Sequence, residues 1–463
     1  MVGFSETLAA LRLLGHMVDV DEEVDRDYEA PQVFLKAALR GSYAVSLKPR
    51  GSDMPLVSNV YWRKINEVVG RMDEIYEKVE DAFTVLRKLP RDSLQHLDVM
   101  TSLASLSGSL PRVAENSPLL SRIASGYDAD LTSLPAIRHV AEEEAPVVVN
   151  PILMVYSPPR RELYVEACKA AVIDEKTLVV HVPRRSQLRS AIEEALRSKA
   201  TLPAALVVGA DPPLQLAATP PSPAGVNRLL LASLIGQERL AIVGLGDKLY
   251  VPAGAEIAVK GYIEPGDTLP EPRILSEDGS LRGGEPMPVL HVEKLYMRQE
   301  PVFYTSIMDP RSSDAAELMR AASTLARAYV HTIFPAVDDV YVPPEAAGRV
   351  VYASISPSER RRAREIGLGL LSLGLTPHVE AVILFSGVDL RDPHATLNAV
   401  WSNVDLERDV LELRGMPSSE LFHREEEATR ILVDATPKEQ RPAPPPQAAE
   451  KAEEVLRRTG LFG

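Results

Sequence analysis

The stretch Leu249 to Glu277, LYVPAGAEIAVKGYIEPGDTLPEPRILSE, constrains the fold of this chain more than any other. Ile257, Val259 and Ile263 alternate with Glu256, Lys260 and Tyr262, which places the two sets on opposite faces of a strand. Such a two-residue period, ended by Glu264-Pro265-Gly266-Asp267, predicts a half-buried strand running into a tight turn. Pro252 before it and Pro265, Pro270 and Pro272 after it fix the backbone on entry and exit. Just past the turn stands a carboxylate, Glu271, where a strand end can hold it over a pocket. Taken alone, the stretch is one more strand of a β-domain with a surface carboxylate.

The 463 residues leave room for two or three domains and an ample core. Lys and Arg number 51 against 65 Asp and Glu, and the net charge of −14 argues against nucleic acid as the main partner. Cys168 is the only cysteine, which excludes an internal disulfide and fits a reducing cytoplasm. No apolar run nears the ~20 residues that span a bilayer. The opening MVGFSETLAALRLL lacks the basic start of a signal peptide. The expectation is a cytoplasmic globular protein with no membrane span.

Along the chain, Ser5 can cap a first helix and Tyr28 to Leu39 reads as a second, with Tyr43–Leu47 and Pro55–Tyr61 as strands. Arg63 to Leu89 reads as one long amphipathic helix, with Ile65, Val68, Met72, Ile75, Val79, Ala82 and Leu86 at helical spacing. Residues 1–133 are expected to form an α/β unit, with a weakly patterned connection from about 91. Residues 134–310 turn to short strands, interrupted by a helix from Gln187 to Lys199 capped by Ser186 and a second from Asn227 to Ile235, which suggests a barrel-like β-domain. Residues 311–440 return to α/β, with helices Asp314–Tyr329 and Ser358–Leu373 and strands Val350–Ile355 and Val379–Phe385. Residues 441–463 carry the extended linker RPAPPPQ and a terminal helix, Ala448–Arg458, of the kind that docks on a neighbouring subunit or back on its own chain.

Generic motifs add little. Gly367-x-Gly369 followed by Gly374 lacks dinucleotide-binding spacing and reads as helix packing. Nine scattered histidines show no metal-ligand spacing, and His181, ending an apolar strand, reads as structural. Arg360–Arg362 reads as a solvated helix face.

Several segments taken together are more specific. VPAGAEIAVKGYIEPGD resembles a segment of the UbiD family of prenylated-FMN-dependent decarboxylases, whose usual form is roughly VPA-x-x-EIVLEGYI-x-PGE. MPLVSNVYW, LPAALVVGADPPLQLAA, SPAGVN, LASLIG, VILFSGVDLRDPHATLNAVW and ILVDATPK resemble the family's other segments, in the family's order, over about 400 residues. The resemblance implies a UbiD-like α/β fold: an N-terminal α/β unit, a central split-β-barrel cofactor domain, and a C-terminal α/β domain with a docking tail.

The resemblance also implies a site. An EGPFGE-like run carries two carboxylates in the family; here it becomes EPRILS, placing the first on Glu271 and the second on Ser276, with Glu277 next. YVEACKAAVIDEKTL aligns without a gap to the family's N-x-s-x-x-R segment, so the metal-binding Asn becomes Tyr164 and the catalytic Arg becomes Lys169. Gln187 falls where the metal-binding His belongs, and Asn227 or Arg228 where the Glu belongs. The family therefore predicts prenylated FMN and Mn²⁺, while Tyr164, Gln187 and Arg228 offer no charge to balance a divalent ion. A guanidinium at 228 could instead bind a phosphate directly. Glu271 remains an acid–base candidate, and Lys169 keeps a positive charge without the guanidinium fork.

Two functions are open at this point. One is a carboxy-lyase that decarboxylates or carboxylates an unsaturated or aromatic carboxylic acid, with Lys169 steering the carboxylate and Glu271 moving the proton. The other is a non-catalytic structural or regulatory paralogue, a homo-oligomer or a hetero-oligomer with an intact relative.

Overall fold

The computed structural model describes residues 3–88, 107–221, 226–276, 278–418, 427–438 and 446–459. Part of the weakly patterned connection, Glu277 and most of RPAPPPQ lie outside them.

Six strands form the centre: β1 (Val147–Ser157), β2 (Glu162–Val172), β3 (Thr177–Val180), β4 (Leu202–Val208), β5 (Ile257–Pro270) and β6 (Pro286–Met297). They pair antiparallel in the order β5, β4, β1, β2, β3, β6, and β6 pairs back onto β5. This closes a barrel and leaves none of the six with an open edge. Arg122–Ser125 lies outside it, against β6.

The first half of β5 departs from the half-buried expectation. Ile257, Ala258, Val259 and Ile263 are at most 1% exposed, and Lys260 is also buried. Period-2 patterning weakens when both faces of a strand are covered. Glu256, expected on a polar face, is fully buried. It accepts from the Ser5 N–H at 3.1 Å, the Ser5 hydroxyl at 2.6 Å and the Val302 N–H at 3.2 Å. Ser5 is thus an anchor for Glu256, and the first helix (Phe4–Leu13) starts after Gly3 instead.

Glu264-Pro265-Gly266-Asp267 does not end the strand either. β5 continues to Pro270, and the register with β6 shifts between Ile263 and Thr268. Gly266 takes φ +92 there, so the four residues form an irregularity within a longer strand. Gly261 marks a second shift: a Cβ on it would lie 1.8 Å from the His291 carbonyl oxygen. The Arg63–Leu89 helix is also broken, into Ile65–Val68 and Met72–Lys88, with Gly70 at φ +130 between them. An apolar stripe continues through such a break and hides it from periodicity.

The N-terminal four-stranded sheet takes its last strand from Phe303–Tyr304, beyond the barrel, and shares one apolar core with it. A five-stranded C-terminal sheet surrounds a second core of residues such as Val351, Leu370, Val382 and Leu432. Helix Asp314–Ile333 links the two, with Leu318, Ala322 and Leu325 in the first core and Ala326 and Val330 in the second. Its buried first residue, Asp314, accepts from the N–H groups of Val60, Tyr61 and Trp62. The Gly367-x-Gly369 pair lies in helix Ala363–Leu373 as packing: added Cβ atoms would strike Leu432 at 2.3 Å and Phe334 at 2.4 Å. No helix among the described residues is long and apolar enough to cross a membrane.

Candidate functional site

A cavity of about 190 Å³ opens between β2, two helices and the C-terminal loop that carries Thr376 and His378. The helices are α1 (Gln187–Ser198) and α2 (Arg228–Ile235), and both present their first residues to it. Lys169, Gln187 and Arg228, far apart in sequence, line the same space. So do Glu166, Arg185, His181 and His378.

Burial sets the electrostatics. The Arg228 guanidinium is lowered to about 10 by desolvation, with the Glu166 charge acting in the opposite direction. Burial likewise raises the Glu166 carboxyl, against the N–H of Leu188, which reaches its Oε1 at 3.4 Å. Ser186 caps α1 by accepting from the Arg189 N–H at 3.0 Å. Burial also pushes the Cys168 thiol up, which keeps this cavity residue protonated and a poor nucleophile.

Glu271 stands in a buried pair. His181 Nδ1 lies 3.0 Å from its Oε1, with the His side chain 6% and the Glu side chain 8% exposed. His378 is close by, its ring centroid 6.4 Å from that of His181. Glu271 itself is held where the chain returns from β5: its N–H donates to the Glu285 carbonyl at 2.8 Å and its carbonyl accepts from the Gly284 N–H at 2.7 Å. His181, read from sequence as structural, therefore joins the cavity to the acid–base candidate.

The other sequence-derived positions fall elsewhere. The Tyr164 hydroxyl donates to Glu162 at 2.8 Å and accepts from Arg160 at 3.1 Å, and Tyr164 is not among the cavity's lining residues. Asn227 spends its carboxamide oxygen on the cap of α2, accepting from Leu229 at 2.9 Å and Leu230 at 3.2 Å. Ser276 is fully buried beside a tight turn, its N–H donating to the Ser280 carbonyl. Glu166 and His378 were missed. Glu166 lies only two residues past Tyr164, but attention to the Asn and Arg positions passes over it; no sequence signal points to His378.

The lining does not fit a divalent cation. Hard cations want carboxylate oxygen or imidazole nitrogen in convergent sets. Among the described residues no three His, Cys, Asp or Glu side chains stand together in such a set. Lys169, Arg185 and Arg228 outnumber the single lining carboxylate, Glu166, and would repel a dication in a poorly solvated space.

Comparisons with known proteins agree with this architecture. Residues 112–311 match the 3-octaprenyl-4-hydroxybenzoate carboxy-lyase Rift-related domain of the UbiD family, and residues 315–435 match its C-terminal domain. An uncharacterized protein of Aquifex aeolicus is 25% identical over 439 residues, 92% of this chain and 87% of its own. Vanillic acid decarboxylase of Sedimentibacter hydroxybenzoicus, in its closed form, has the same fold with a TM-score of 0.86 at 20% identity, covering 99% of both chains. The UbiD-class enzyme HmfF of Pelotomaculum thermopropionicum, in complex with FMN, superposes with a TM-score of 0.75 at 21% identity, over 98% of this chain and 100% of that one.

Proposed function

We propose, for a chain that belongs to the UbiD family of carboxy-lyases, that it is a paralogue without metal–flavin catalysis, acting as a structural or regulatory subunit. The observation that carries this reading is Arg228: a half-buried cation lines the cavity where the family resemblance calls for a carboxylate ligand to the metal. Gln187 and Lys169 in the same lining supply neither negative charge nor imidazole nitrogen. Structures of the neighbour HmfF contain FMN or prenylated FMN, so the family expectation for this cavity is a flavin. The residues here remove the metal through which that expectation would be met. Vanillic acid decarboxylase is solved as an assembly of two components, which supports a role beside a second chain.

The His181–Glu271 pair favours a second reading, a surviving carboxy-lyase acting on an unsaturated or aromatic acid. Glu271 would then move the proton and Lys169 would steer the substrate carboxylate. The deciding experiment is CO₂ release across cinnamate-like and hydroxybenzoate-like acids, with prenylated FMN and Mn²⁺ supplied. No turnover above background is expected. Turnover that disappears in Glu271→Gln would establish the second reading instead, since this near-isosteric change typically costs about a hundredfold or more at an acid–base group.

A further inference from the structure

The N-terminal unit ends in an apolar tip that neither the barrel nor its cavity uses. Helix Phe4–Leu13 leads into strand Met17–Val24, and helix Glu29–Arg40 leads into strand Ala44–Pro49. The two strands pair in parallel, Met17 against Ala44, and the Ala44 N–H donates to the His16 carbonyl at 2.9 Å. Both helix-to-strand turns therefore stand side by side where these strands begin. The first helix closes with the His16 N–H on the Leu11 carbonyl at 2.8 Å and the Gly15 N–H on the Arg12 carbonyl at 3.0 Å, Gly15 taking φ +72. That closure buries Leu8 and Leu11 and leaves Leu13 and Leu14 outside. Leu13 is 90% exposed, and Leu14, Leu39 and Tyr43 are each half exposed or more. Four large apolar side chains from two separate turns thus share one end of the molecule, where single scattered exposures are the ordinary pattern. The charges around them are sorted. Asp19 accepts from Arg12 through two bonds of 2.8 Å, and Glu67 lies 2.6 Å from His16. Lys36 and Arg40, one helical turn apart on the exposed side that carries Leu39, are held by no carboxylate among the described residues. The charge left over at the tip is positive, in a chain of net charge −14. The acidic run Asp21–Glu23 stands about 10 Å or more further along its strand, away from the turns.

We propose that this tip docks the protein on an anionic lipid surface. Leu13, Leu14 and Leu39 enter the boundary between headgroups and acyl chains, Tyr43 sits at headgroup level, and Lys36 and Arg40 meet lipid phosphates. Leucines gain by leaving water, an aromatic ring with a polar end suits the interface, and unpaired cations are drawn to its charge. Among the described residues no helix is long and apolar enough to cross a membrane, so the attachment is peripheral and reversible. A second copy of the chain suits the tip less well, because a two-fold contact through its apolar centre would bring the same unpaired cations together. The inference is independent of whether the cavity is catalytic.

The full-length protein is sedimented with vesicles of phosphatidylcholine alone and of phosphatidylcholine with about one-third phosphatidylglycerol, which gives a negative surface. It is expected to pellet with the anionic vesicles at low salt, and several-fold less with phosphatidylcholine alone or at high salt, where the surface charge is screened. Leu13→Glu combined with Leu14→Glu should weaken binding about tenfold or more, through lost apolar burial and added repulsion. Lys36→Gln and Arg40→Gln should each weaken it about fivefold, the worth of one basic residue at such a surface. Trp401→Gln, which removes an exposed aromatic from the distant helix Pro393–Asn403, should leave it unchanged. Circular dichroism checks that the variants fold; if the double variant does not, Leu13→Glu alone decides. No pelleting with anionic vesicles, equal pelleting with phosphatidylcholine alone, or indifference to the tip variants overturns the inference. So does a mass by light scattering that falls when Leu13 and Leu14 are replaced, which would place a second copy of the chain on the tip instead.

Discussion

Buried titratable side chains set what individual residues contribute. Asp211, in the segment GADPP, is 4% exposed, and burial raises its carboxyl to about 7. A carboxyl raised in the folded state contributes stability that is complete below its ordinary 3.8 and is lost as pH rises through about 7. Asp211→Asn, which mimics the protonated form, should flatten the fall in melting temperature between about pH 4 and 7, an effect on the order of a few kcal/mol. An unchanged pH profile would show that Asp211 stays ionised at no cost. At the cavity, Glu271→Ala removes the carboxylate from the buried His181–Glu271 pair and should lower stability by about 1–3 kcal/mol, with Glu271→Gln costing less. Denaturant titration of both variants checks the order. Of these residues only Glu271 was legible as a site residue in the sequence. His181 and Glu271 are 90 positions apart, and a pair made by barrel closure leaves no local pattern. Glu166 on β2 and Arg228 on α2 are likewise brought together only when that helix packs against that strand.

At the scale of elements, strands and helices with conventional ends were readable and those with exceptions were not. The Ser186 cap before α1 and the Asn227 cap before α2 stand where the residue types indicate, since capping is a local interaction. Burial on both faces of β5 follows from the closed barrel on one side and packing partners such as α1 outside it, and its continuation past Pro265-Gly266 follows from its pairing with β6, none of which a window of sequence contains. Gly261 is the element's tightest constraint. Gly261→Ala would drive a Cβ into the backbone of β6 at His291, so it should cost about 3 kcal/mol or more or prevent recovery of folded protein. Gly41→Ala meets only the Tyr43 ring at 3.3 Å and should cost far less. Thermal unfolding of the two variants side by side tests this, and equal losses would contradict the tight approach of β5 to β6.

For the whole molecule, the order of family-like segments was enough to read the fold, because the segments fall in turn on the N-terminal sheet, the barrel with its helices, and the C-terminal sheet. The activity was not readable in the same way, since it depends on a few charges in one cavity. The helix Pro446–Thr459 follows the proline-rich linker, and we expect it to cross between subunits. Truncation after Lys438 should then reduce the mass seen by light scattering, whereas an unchanged oligomer, or a monomeric full-length protein, would exclude that role. The central claim is that Arg228, Gln187 and Lys169 have replaced the metal–flavin site. It is tested most directly by co-expressing the chain with a flavin prenyltransferase and measuring metal content and visible absorption of the purified protein. The account predicts neither stoichiometric Mn²⁺ nor a tightly bound prenylated flavin spectrum; a full complement of both would contradict it.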